Sequence, residues 1–72
     1  MRNYKSYQIS GMAIPDAKTG WYARGIVFDN QPETVTEIKR LECRDLRFNS
    51  KRKANKMALE LCKAWVNGVL DH

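Results

Sequence analysis

The sequence predicts an α+β domain, an antiparallel meander of three or four strands with one C-terminal helix packed on one face. Three observations carry this. Tyr4 to Ile14 and Trp21 to Asp29 alternate with the period of two that a strand requires. Each leads into a segment rich in Pro, Gly, Asp and Asn, where a chain turns. Ser50 to Leu70 carries apolar residues at helical spacing. With 72 residues the chain is a single domain, 1–72, whose core is small enough that a partner would help to stabilise it.

In the first strand, Lys5, Tyr7, Ile9, Gly11 and Ala13 fall on one side. Tyr4, Ser6, Gln8, Ser10, Met12 and Ile14 fall on the other. Gly11 marks a bulge or a place where a helix passes close. Pro15 to Gly20 is the first turn. The second strand presents Trp21, Ala23, Gly25 and Val27 on one face and Tyr22, Arg24, Ile26 and Phe28 on the other. Small Ala23 and Gly25 let a helix lie close, which assigns the Trp21 face inward. Tyr22, Arg24, Ile26 and Phe28 then occupy an open sheet face; the reverse assignment would make those four the core.

Asp29-Asn30-Gln31-Pro32 is the second turn. Thr34 to Glu42 favours a third strand, since Thr, Val and Ile suit a pleated surface. Arg44 to Phe48 is its continuation past a bulge or a short fourth strand. A short helix is the alternative, because Val35, Ile38 and Leu41 are spaced by three and Thr34-Val35-Thr36-Glu37 resembles a helix start.

The helix begins at Ser50, whose hydroxyl suits an N-cap. At about 100° per residue, Ala54, Ala58, Leu61, Cys62, Trp65 and Val69 share one face, with Met57 and Ala64 at its edge. Asn67-Gly68-Val69 reads as the end, with Gly68 left-handed. Leu59, Val66 and Leu70 form a second strip roughly 90–110° from the middle of the first. That strip is either the seam of a homodimer or part of a wide core under a loop. Asp71-His72 is a frayed tail.

The net charge of +5 is unevenly placed: residues 39–56 hold eight cations and two anions, a net +6, against −1 elsewhere. Lys51-Arg52-Lys53 opposes the helix macrodipole, at about 0.3–1 kcal/mol per cation. Such a concentrated excess points to an anionic partner. The expected contacts to nucleic acid are Tyr22, Arg24 and Phe28 on the sheet, with Arg44, Arg47, Lys51, Arg52 and Lys53 at the helix start. A solvated charge run is the bland alternative.

Catalysis finds no foothold. The single His is His72, the carboxylates are scattered, and Cys43 and Cys62 have no metal-ligand spacing. Gly11, Gly20 and Gly25 are too far apart to cradle a phosphate. No enzyme activity, cofactor, metal or small-molecule substrate is expected. No apolar run approaches the ~20 residues of a membrane span, and Met1 to Lys5 leads into a strand without the apolar region of a signal peptide. Two reduced thiols in a cytoplasmic protein are the expectation, a strand-to-helix disulfide the alternative.

The Gly20-Trp21-Tyr22-Ala23 strand and the helix start Arg47-Phe48-Asn49-Ser50, followed by Ala54, Ala58 and Leu59, resemble a group of small bacterial three-strand-plus-helix proteins. That likeness spans most of the chain and implies no particular activity. The layout is also similar to the plant ethylene-response-factor DNA-binding domain, which reads the major groove with its sheet. Trp21 and Ala23 match that family's Trp-x-Ala strand, and Phe48, Asn49 and Ser50 its Phe-Asp-Thr helix start. Arg44-Asp45-Leu46 stands where that family has Trp-Leu-Gly, and the helix start is basic where the family's is acidic. HicB-type antitoxins share the layout, which implies an interaction role.

Overall fold

The computed structural model describes residues 2–16, 20–30 and 33–70. Four strands, β1 (Arg2–Tyr4), β2 (Tyr7–Asp16), β3 (Gly20–Asn30) and β4 (Val35–Phe48), precede one helix, α1 (Lys51–Leu70). The strands form one antiparallel sheet in the order β1-β2-β3-β4. The helix lies over β2 and β3 and only grazes β4. This is the expected α+β meander with its C-terminal helix.

The fourth strand comes from an unexpected place. The first predicted strand is two, because Tyr4 pairs with Tyr7 across a turn at Lys5-Ser6. Lys5 adopts a φ of 55°, which the tight hairpin needs and which Asn or Gly more often supplies. Residues 35–48 form one continuous strand, neither a strand pair nor a helix. Two irregularities in its pairing with β3 absorb the bend, one between Val27 and Phe28 and one between Trp21 and Ala23. Both predicted turns lose residues to strands, since Pro15-Asp16 belongs to β2 and Gly20 and Asp29-Asn30 belong to β3. Residues 17–19, Gln31-Pro32 and the predicted tail Asp71-His72 lie outside the described residues.

The inward face of β3 is the expected one. Ala23 and Val27 are fully buried, and a Cβ on Gly25 would meet Cys62 Sγ at 2.6 Å and the Ala58 carbonyl oxygen at 2.7 Å. Gly11 on β2 marks the same close approach, its Cβ position lying 2.9 Å from the Asn55 carbonyl oxygen. Sheet and helix are therefore almost in backbone contact where Gly11, Gly25 and Ala58 meet. Toward the helix C-terminus larger residues fill the gap: Ile9, Val27, Cys62 and Val66 form the core cluster, flanked by Tyr4, Tyr7, Leu59 and Trp65. Tyr7 and Trp65 meet edge to face, ring centroids 6.2 Å apart.

The helix is rolled relative to the predicted orientation. Its buried row is Ala54, Ala58, Cys62 and Val66, spaced by four, and Val69 is exposed. Val66 thus belongs to the core, Leu59 packs beside it, and of the supposed second strip only Leu70 faces solvent. The helix also runs through Gly68, because Lys5 and Gly20 alone among the described residues have positive φ.

Candidate nucleic-acid interface

Directly opposed residues of antiparallel strands point to the same face, so the register assigns the open side of the sheet row by row. Ile14 and Tyr22 form one row, Met12, Arg24 and Glu42 the next, then Ser10, Ile26 and Arg40, then Gln8, Phe28 and Glu37. Tyr22, Arg24, Ile26 and Phe28 therefore do share the face turned away from the helix. Ile26 is nonetheless only 5% exposed.

Tyr22 is the centre of a cationic cluster. The Arg44 guanidinium carbon lies 5.2 Å from its ring centroid and that of Arg47 5.4 Å. Arg24 Nη2 donates to the Tyr22 hydroxyl at 3.4 Å. Two carboxylates hold the arginines in place. Glu42 accepts from Arg24 Nε at 3.0 Å and from Arg44 Nε at 2.8 Å, while Asp16 accepts from Arg47 Nε at 2.5 Å. Arg47 also donates to the Arg44 carbonyl. The hydrogen bond from Arg44, aided by the charge of Arg24, holds the Glu42 carboxyl below the usual glutamate range. The same bond raises the Arg44 guanidinium further above neutrality.

The helix start lies at this same end of the sheet. Trp21 pairs with Phe48, two residues before Ser50. The Ser50 hydroxyl accepts from the Lys53 amide at 3.4 Å and its carbonyl from the Ala54 amide at 3.2 Å, which fixes the first turn. Lys51, Arg52 and Lys53 are exposed and take part in no ion pair among the described residues, and the first turn contains no acid. Five of the predicted contact residues, Arg44, Arg47, Lys51, Arg52 and Lys53, thus crowd one tip with Tyr22, and Arg24 sits one row inward.

Phe28 does not join them. It lies six residues along β3 from Tyr22, roughly 20 Å at strand rise, beside Gln8 and Glu37. The partners Glu42 and Asp16 escaped the sequence reading, although the parity of Arg40, Glu42 and Arg44 in one strand was visible. A second ring, Tyr4, carries two lysines at the opposite end: Lys5 Nζ at 5.5 Å and Lys63 Nζ at 5.8 Å from its centroid, with Tyr4 and Lys5 both donating to Asn67 Oδ1. Nothing in the sequence pattern links those residues, which are some sixty positions apart.

Among the described residues no group of His, Cys, Asp or Glu is arranged to hold a metal ion. Cys43 and Cys62 are free thiols. Cys62 faces the sheet from the helix, with its Sγ 3.8 Å from the Ser10 carbonyl and 3.7 Å from that of Ile26, and burial pushes its thiol up. Among the described residues no helix is long and apolar enough to cross a membrane. No known protein family matches the chain, and no curated protein or solved structure is significantly similar to it.

Proposed function

We propose that this protein is a non-enzymatic nucleic-acid-binding module that grips the phosphodiester backbone with its basic tip. One observation carries the reading: Arg44 and Arg47 stacked at Tyr22 share an end of the fold with the exposed Lys51, Arg52 and Lys53. Neutralising several phosphates there would release counterions, which drives binding without regard to sequence. Guanidiniums already lie against the Tyr22 ring, so recognition runs through charge and not through stacking of bases on that ring. The arginines meet phosphate in a fixed geometry, since Glu42 and Asp16 orient each one through Nε and leave other N–H groups to donate outward. Two free thiols fit a reducing compartment, and we place the protein in the cytoplasm.

Fluorescence anisotropy with single- and double-stranded oligonucleotides tests this. Binding should be measurable at ~50 mM salt, and log K should fall linearly with log salt concentration. Replacing Lys51, Arg52 and Lys53 together by Gln should flatten that slope by about 2–3, the share of three phosphate contacts. Undetectable affinity for every oligonucleotide at low salt ends the proposal.

A further inference from the structure

The two edges of the sheet differ sharply. β1 is three residues long and presents Arg2 and Asn3, a short polar edge of the kind that discourages strand addition. β4 is fourteen residues long, and β3 occupies only one of its sides. Three of the five exposed large hydrophobic residues among those described, Val35 (48%), Ile38 (42%) and Leu46 (49%), lie on it. The helix leaves its inner face half open, so Leu41 and Cys43, which point to the helix side opposite Gly25 and Ala23, are only partly buried.

We infer that β4 is a homodimer seam: β4 of one copy pairs antiparallel with β4 of a second copy about a twofold axis at Leu41, joining two four-stranded sheets into one. The uninterrupted run of β4 pairing, Lys39 to Cys43, is centred on Leu41 and sets the register, and charge complementarity within that run favours a second copy. Ile38, which the pairing skips, and the acids Glu37 and Asp45, which the same axis would oppose, lie outside it. With the axis at Leu41, Arg40 stands opposite Glu42 of the second copy, and symmetry repeats the pair. Both residues lie on the outer face, where Arg40 reaches the exposed Glu37 at 3.0 Å and Glu42 would add the second copy's Arg40 to Arg24 and Arg44. Leu41 meets Leu41 on the inner face and closes the apolar floor beside the two helices. Centring the pairing on Lys39, Arg40 or Glu42 sets like charges against each other at the axis. Centring it on Cys43 leaves that run at the first step and enters residues 44–47, which already fail to pair with β3. A strand of another protein would need to reproduce this charge order; a second copy does so by symmetry. The helix strip is not the seam, because Val66 is in the core.

The inference does not rest on nucleic-acid binding, and mass is measured without any oligonucleotide. Sedimentation equilibrium of the full chain should give twice the 8.4 kDa chain mass as concentration rises toward about 1 mM. Arg40→Glu should return it to the chain mass by opposing two acids at each pair. Arg40→Glu combined with Glu42→Arg should restore the dimer with the polarity exchanged. Circular dichroism confirms that each variant is folded. A wild-type protein that stays at chain mass at about 1 mM overturns the inference, and so does a dimer that Arg40→Glu leaves intact. Should the paired substitution unfold, isotope-filtered NMR on a half-labelled wild-type mixture decides. Contacts between the Leu41 backbones of two copies are then expected, and their absence overturns the seam.

Discussion

On the helix side of the sheet, Gly11, Gly25, Ala23, Ala54 and Ala58 bring two backbones together with scarcely an atom between them. On the other side, Arg24, Arg44 and Arg47 gather around Tyr22 on long side chains held by two carboxylates. The inner face is fixed by volume, where a single added carbon has nowhere to go. The outer face is fixed by charge, where water screens each pair. Stability should therefore respond to the first face and ligand chemistry to the second.

The largest effect should come from emptying the inner face. Ile9→Ala removes a fully buried side chain from the cluster with Val27, Cys62 and Val66, and should cost about 2–5 kcal/mol in a urea titration. For a domain this small that approaches unfolding. A loss below about 1 kcal/mol would mean that Ile9 is not part of a packed core.

Overfilling the same face comes next. Gly25→Ala drives a methyl against the Ala58 carbonyl, which is backbone and cannot swing aside. The helix must lift, at about 1–3 kcal/mol, and the midpoint should fall with an unchanged slope. A neutral result would show that the helix sits farther from β3 than described.

The outer face should give the smallest change, and one that depends on pH. Glu42 is held below the ordinary glutamate range by Arg44 and Arg24, so its folded pKa lies under its unfolded one. A group of that kind stabilises the fold above about pH 4.3, and the contribution disappears as pH falls through the lower folded value. Melting curves of wild type and Glu42→Gln should differ most near neutrality and converge in acid. Curves that stay parallel down to low pH would remove the charge linkage.

Much of this was legible along the chain. Alternation in residues 21–29 announced β3, and the small residues Ala23 and Gly25 identified the side that faces the helix. The excess of cations in residues 39–56 announced a basic region. Leu59, Val66 and Val69 were misplaced for a specific reason. Neighbouring rows on a helix differ by a few tens of degrees, and which row meets the sheet depends on the depth of the trough at Gly11 and Gly25. The hairpin at Lys5-Ser6 was hidden because neither residue is the Gly or Asn that such turns favour. The edge at β4 was hidden because strand order is not a local property.

The sequence by itself determined the α+β class, the helix, the inward side of β3 and the concentration of positive charge, because each is a pattern over neighbouring residues. The tertiary structure decided the roll of the helix, the gathering of Arg24, Arg44 and Arg47 at Tyr22, and which strand was left with a free edge. Those depend on contacts between residues far apart in the chain, and on bulges that reset which side of β4 each residue occupies.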